Sequence, residues 1–194
     1  MCGIIGVASN RPVVDKLITG LARQEYRGYD SAGLAVFGED NNSIHVHRRL
    51  GKVAELQSAI SESPLGGSTG IAHTRWATHG IPAEKNAHPH HSNNEVYVVH
   101  NGIIENHQEI RTTLKALGYS FESDTDTEVI GHLIHAKLET ATTLVEALRA
   151  AVKDLRGAYA IGAVHSKEPS LIACLLYTSP SPRDATLSRM PSSA

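Results

Sequence analysis

The second residue of the chain is a cysteine, and its position offers nucleophilic chemistry. Once Met1 is removed, Cys2 carries both a thiol and a free α-amine. An α-amine has an ordinary pKa of about 7.7–8.0, so near neutral pH much of it is unprotonated and can act as a base. An N-terminal amine that activates its own side-chain nucleophile is a known catalytic arrangement. The alternative, which position alone favours, is a small apolar residue buried in the first strand.

Histidines are the second group that could do chemistry, because the chain has 12 of them. The run His88-Pro89-His90-His91 suggests a metal site, since histidine is the commonest metal ligand. However, no thiolate or carboxylate lies close to this run in the sequence, and Pro89 breaks the helical spacing that would place two histidines on one face. We therefore expect no metal here.

Three further polar positions each have two interpretations. Asn101-Gly102 is a hairpin-turn signal, and its alternative is an oxyanion hole made by an Asn donor and a glycine amide. Asp126 can stabilise a helix through the helix dipole, or it can bind a cation. Arg75, next to Trp76, can clamp a carboxylate with its guanidinium or form a surface ion pair.

Composition excludes several classes of protein. The 18 Lys and Arg nearly balance the 20 Asp and Glu, for a net charge of -2, so no electrostatic footprint for nucleic acid or an anionic membrane surface exists. No run approaches the about 20 apolar residues of a membrane span. Two cysteines cannot form a disulfide scaffold, and we expect a cytoplasmic protein.

Hydrophobic periodicity predicts the elements that must position these residues. Strands grouped in hairpins and helices grouped in runs predict an α+β fold with antiparallel sheets. The expected strands are 2–8, 34–37, 44–48, 70–76, 96–100, 157–164 and 171–176. The expected helices are 12–25, 52–60 and 109–117, with two more opened by the capping boxes Thr125/Glu128 and Thr143/Glu146.

Six motifs occur along the chain in a fixed order: CGIIG (2–6), YRGYDSAG (26–33), HTRWATHG (73–80), NAHPH (86–90), HNGIIEN (100–106) and SDTDTE (123–128). Together they resemble the glutaminase domain of the glutamine–fructose-6-phosphate aminotransferase (glucosamine-6-phosphate synthase) family. Tyr29 and Trp76 favour this family over the related amidophosphoribosyltransferases. That second family, and a non-catalytic glutamine-binding module, are the alternatives.

This resemblance implies a fold and a reaction. The fold is a four-layer α/β/β/α sandwich of two antiparallel sheets, typical of N-terminal-nucleophile hydrolases. Cys2 is implied to attack the side-chain amide of L-glutamine, releasing ammonia and then glutamate, without any cofactor. In full-length members, sugar-isomerase domains bind fructose 6-phosphate, and the enzymes are homodimers.

The same resemblance implies the roles of the site residues. Asn101 and Gly102 become the oxyanion hole, Arg75 binds the glutamine α-carboxylate and Asp126 binds the α-ammonium. Additional residues are implied to line, cover or gate the same pocket: Arg27, Gly28, Trp76, Thr78, His79 and His88.

The chain departs from the family pattern near its end. After Cys174 the family continues into further glutaminase strands, whereas this chain becomes rich in serine and proline. We therefore expect an incomplete glutaminase domain over 1–176, no sugar-isomerase domains, and a tail over 177–194 that is disordered or an artefact.

Overall fold

The computed structural model describes residues 2–40, 43–76, 81–169 and 173–177. They form two four-stranded antiparallel sheets, in the orders β1-β4-β2-β3 and β5-β6-β7-β8. The strands are β1 (Gly3–Ala8), β2 (Ser31–Phe37), β3 (Ile44–Leu50), β4 (Thr69–Arg75), β5 (His90–Ser92), β6 (Val96–Ile104), β7 (Gly157–His165) and β8 (Ala173–Tyr177). The helices are α1 (Val14–Gln24), α2 (Val53–Glu62), α3 (His107–Ala116), α4 (Thr127–Leu138) and α5 (Leu144–Ala151).

Three apolar clusters separate four layers, so the predicted α+β sandwich is confirmed. Helices α1 and α2 cover the first sheet, the two sheets pack face to face, and α3, α4 and α5 cover the second sheet. Alternate residues of one strand serve different layers: Leu34 packs toward the helices, while Phe37 packs between the sheets. Burial on both faces explains why β2 is apolar from residue 32 to residue 37 without alternation.

The hairpin turn predicted at Asn101-Gly102 is wrong. Strand β6 continues through both residues, with Asn101 opposite Ala160 and Gly102 opposite Tyr159 of β7. Gly102 has a φ of +124°, and a Cβ there would lie 2.2 Å from the Ala158 carbonyl oxygen. The glycine is therefore required by close approach of the neighbouring strand.

The two predicted helix starts have different outcomes. The Thr143 hydroxyl accepts a hydrogen bond from the Glu146 N–H, as the capping box predicts. The box at Thr125 is wrong, because α4 begins at Thr127 and the Glu128 carboxylate instead accepts from the backbone and hydroxyl of Ser123. Glu128 thus ties the loop before the helix to its first turn.

Other element boundaries also differ from the prediction. Strand β2 begins at Ser31, three residues before the expected strand 34–37, and the short strand β5 lies between the expected strands 70–76 and 96–100. Strand β8 extends to Tyr177, one residue into the segment predicted as a tail, and the rest of that segment lies outside the described residues. Within the described part of the chain, no helix is long and apolar enough to cross a membrane.

Candidate functional site

The Cys2 sulfur lies at the end of strand β4. Because Gly3 pairs with Thr74, the residue before Gly3 comes beside the end of that strand. The Trp76 N–H donates to the Cys2 Sγ at 3.1 Å, and the Trp76 carbonyl oxygen lies 3.6 Å from the same atom. Cys2 is half-buried, unlike a core residue. The Trp76 backbone thus contacts the sulfur through both its N–H and its carbonyl oxygen and fixes its position at the end of β4.

Asn101 joins Cys2 from the opposite sheet. Its Nδ2 donates to the Cys2 carbonyl oxygen at 3.1 Å, and its Oδ1 lies 2.8 Å from the His73 Nε2. Gly102 is the next residue of β6, and its φ of +124° lies in the region that favours glycine. The structure therefore brings together the predicted nucleophile and the two residues predicted to form an oxyanion hole.

Arg75 and Asp126 are both buried, and they carry side chains of opposite formal charge. The Arg75 guanidinium is buried and lies 3.4 Å from the Asp30 carboxylate, so the surface ion pair expected as its alternative is wrong. The Asp126 carboxylate is also buried; it accepts from the Ile104 N–H at 2.9 Å. It stands directly before α4 and makes no capping hydrogen bond, so it can stabilise this helix only through the helix dipole.

Buried histidines connect these residues behind Asn101. His73 and His88 stack with their ring centroids 4.1 Å apart, and His88 Nε2 lies 2.8 Å from the Thr127 hydroxyl. His100 Nδ1 meets the same hydroxyl at 2.9 Å. Burial lowers the pKa of His73 and of His90 to about 3, and that of His88 well below its ordinary value. These three imidazoles are therefore neutral near pH 7.

The metal alternative gains no support from this geometry. His90 and His91 are consecutive in β5, so their side chains lie on opposite faces. His90 is buried with its ring edge against His88, while His91 packs near Tyr97 at 5.7 Å. In the ranges that the structure describes, no three His, Cys, Asp or Glu residues are grouped as a metal site would require.

Trp76 and Gly28 form an exposed rim beside the sulfur. The Trp76 side chain is 53% exposed, and a Cβ on Gly28 would lie 2.5 Å from its ring. Gly28 has a φ of +105°, which favours glycine, and any larger residue at this position would collide with the Trp76 indole. Arg27 ends the short helical turn just before it. Thr78 and His79 lie outside the described residues.

Four site residues were not assigned a role from the sequence: Asp30, His73, His100 and Thr127. Each of them lies inside one of the six motifs. The motifs therefore contained these four residues. Their roles become visible only from the side chains that they contact in the fold, such as Arg75 for Asp30.

Comparison with known proteins identifies the family. Residues 73–175, more than half of the chain, match the glutamine amidotransferase domain, and the chain belongs to this family. It is 56% identical over 180 residues to glutamine–fructose-6-phosphate aminotransferase (isomerizing) of Pseudomonas putida, and 58% identical over 159 residues to the Shewanella oneidensis protein of that name. These alignments cover 93% and 82% of this chain but 29% and 26% of the relatives. The chain thus spans less than a third of their length.

Solved structures support the same class. Glutamine phosphoribosylpyrophosphate amidotransferase from B. subtilis superposes with a TM-score of 0.72 at 25% identity, covering 86% of this chain and 35% of that one. A second structure, described as the allosteric regulatory enzyme of purine biosynthesis, gives 0.73 at 26% identity, covering 86% and 36%.

Proposed function

We propose that this chain hydrolyses glutamine to glutamate and ammonia, with Cys2 as the nucleophile after removal of Met1. The observation that carries the proposal is that Cys2, just before β1, contacts two different elements: the Trp76 N–H after β4 donates to its sulfur, and the Asn101 carboxamide of β6 donates to its carbonyl oxygen. A thiol, a polar donor and the backbone amine of the same cysteine are the parts that amide hydrolysis through a thioester needs.

The proposed reaction has two stages. The Cys2 α-amine takes the thiol proton, the sulfur bonds to the amide carbon of glutamine, and the carbonyl oxygen becomes an oxyanion. The carbon–nitrogen bond then breaks, and the proton held by the α-amine passes to the departing nitrogen, which leaves as ammonia. Water attacks the thioester with the same amine as base, releasing glutamate and restoring the thiol.

Asn101 and Gly102 are proposed to bind the oxyanion. One Nδ2 hydrogen of Asn101 already donates to the Cys2 carbonyl, so the second is the one that can reach the substrate. A preorganised donor of this kind typically contributes about 3 kcal/mol to the transition state.

Arg75 and Asp126 are proposed to recognise the amino-acid end of glutamine. An α-amino acid carries a carboxylate and an ammonium, and these two buried side chains supply one charge of each complementary sign. Gly28, Arg27 and His88 are proposed to line the pocket, Thr78 and His79 to cover it, and Trp76 to gate the exit of ammonia.

The use of the ammonia is a second part of the proposal. The relatives that are 53–58% identical are named for fructose 6-phosphate, whereas the amidophosphoribosyltransferase structures are only 25–26% identical. We propose that fructose 6-phosphate is the acceptor, bound by sugar-isomerase domains of a longer, homodimeric protein, with 1–176 as the glutaminase unit. The cytoplasmic location also stays a prediction.

The direct test is turnover of glutamine by the 194-residue chain with its Met1 loss verified by intact mass. We expect glutamate and ammonia in equal amounts, and a single mass gain on Cys2 with a thiol-reactive glutamine analogue. Binding of glutamine without turnover, and no labelling of Cys2, would instead support a non-catalytic binding module.

Recognition of the α-carboxylate can be tested with Arg75→Lys. Lysine keeps the charge opposite Asp30 but lacks the planar fork, so we expect KM for glutamine to rise about 10- to 100-fold with kcat changed by less than about 3-fold. The control is Arg49→Lys, which alters the exposed pair of Arg49 with Glu84 and should leave both constants unchanged. An unchanged KM in Arg75→Lys would remove Arg75 from substrate binding.

A further inference from the structure

His73 is a fully buried imidazole whose contacts determine where its proton lies. It is 1% exposed in β4, and its Nε2 lies 2.8 Å from the Asn101 Oδ1 and 3.0 Å from the His100 carbonyl oxygen. The His100 backbone carbonyl can only accept a hydrogen bond, so the proton of the neutral ring resides on Nε2. The same N–H is also within hydrogen-bond distance of the Asn101 carboxamide.

The other ring nitrogen shows why this state is stable. The His73 Nδ1 is buried and has no hydrogen-bond partner among the described residues. A second proton there would be a buried N–H without an acceptor, beside neighbours that include Arg75. The ring thus stays neutral, and its Nε2–H remains a donor, throughout the pH range in which enzymes work.

This donor decides the orientation of the Asn101 carboxamide. The two ends of a carboxamide have nearly the same shape, so only their partners distinguish them. With Oδ1 toward His73, both ends are satisfied, because Nδ2 faces the Cys2 carbonyl oxygen. If the carboxamide were rotated by 180°, its N–H₂ group would face the His73 N–H and its oxygen would face the Cys2 carbonyl oxygen. Neither pair can form a hydrogen bond, so the rotated state is disfavoured at both ends.

We infer that His73 is a positioning residue of the oxyanion hole, acting through Asn101 rather than on the substrate. The inference deepens the proposed function and rests on it. Neighbours hold the ring in place: His88 stacks on it, and the Thr127 hydroxyl in turn fixes His88. Strand β4 has a hydrogen-bonded neighbour on each side, which keeps the backbone of His73 rigid as well.

Two substitutions of similar polarity separate this role from simple packing. In His73→Gln the side-chain N–H₂ can occupy the position of Nε2, whereas in His73→Asn it falls short, near the position of Nδ1. We expect kcat to fall about 10- to 100-fold in His73→Asn with KM for glutamine little changed, since a misplaced oxyanion donor affects the transition state. His73→Gln should be about 10-fold more active than His73→Asn.

A double-mutant cycle supplies the decisive comparison. Because His73 acts through Asn101, adding His73→Asn to Asn101→Ala should lower kcat by less than about 2-fold further. A further loss as large as in the single variant, or equal activity of the Gln and Asn variants, would overturn the inference.

The ring itself gives a readout that needs no activity. Nitrogen NMR of the wild-type chain should show a neutral His73 protonated on Nε2 from pH 6 to 8, and one Asn101 side-chain N–H₂ signal that shifts in His73→Asn. Protonation on Nδ1, or an unshifted Asn101 signal, would contradict the inference even if either variant is too unstable for kinetics. Absence of glutaminase activity in the wild type, with these NMR results intact, would contradict the proposed function instead.

Discussion

Replacement of Cys2 by alanine is expected to lower glutamine hydrolysis by at least about 10⁴-fold, to the background of the assay. The substitution removes the sulfur that is proposed to form the thioester with the substrate, the atom to which the Trp76 N–H donates. Glutamine binding should persist, because Arg75 and Asp126 are proposed to bind other parts of the substrate. The measurements are glutamate release under single-turnover and steady-state conditions, and glutamine affinity by calorimetry.

The matched control is Cys174→Ala, which removes the only other cysteine of the chain, from strand β8. This variant should keep its activity and should still gain mass on Cys2 with the thiol-reactive analogue. Because Cys2 is only half-buried, Cys2→Ala should keep its fold, which circular dichroism and thermal unfolding can verify. Undiminished turnover in Cys2→Ala would end the proposal that Cys2 is the nucleophile.

Local patterns were sufficient to predict the class of this fold, whereas its four layers and two sheets were implied by the resemblance to a known family. Apolar positions at helical spacing predicted α1, in which Leu17 and Leu21 are buried. The grouping of strands and helices predicted an α+β fold with antiparallel sheets, and the Thr143 capping box was confirmed at the start of α5. These features depend on neighbours within a few residues, which a single sequence displays directly.

Features that depend on distant partners were harder to predict. Asn101-Gly102 has the sequence of a tight turn, but β7, more than fifty residues later in the chain, pairs with both positions, so the strand continues through them. Glu128 was placed in a capping box with Thr125, whereas Ser123 offers it both a backbone N–H and a hydroxyl. Tertiary contacts thus override local turn and capping signals at the edge where the site lies.

The candidate site shows the same division. The position of Cys2 in the sequence identified it as a possible nucleophile. The roles predicted for Arg75, Asp126 and Asn101 came from the motifs that resemble a known family. The sequence did not reveal that His73 would face Asn101 from the other sheet, or that Asp30 would pair with Arg75. Such contacts join residues separated by 28 and 45 positions, and only the folded sandwich brings them together.

Replacement of Asn101 by alanine is expected to lower kcat about 10²- to 10³-fold while KM for glutamine changes little. The lost donor acts on charge that develops only in the transition state, so ground-state binding should be nearly unaffected. Asn101→Asp should be at least as slow: its carboxylate retains an acceptor for His73 but places negative charge beside the oxyanion. Steady-state kinetics with glutamine will measure both variants.

Asn106→Ala is the matched control for the asparagine substitutions. Asn106 also uses both ends of its carboxamide, donating to the Asp154 carbonyl and accepting from the Arg156 N–H, but it precedes α3 and its two partners lie in the segment between α5 and β7. Its replacement should cost some thermal stability and leave kcat unchanged. If Asn101→Ala instead raised KM as Arg75→Lys does and left kcat intact, Asn101 would be a binding residue, and the oxyanion would need a donor other than this carboxamide.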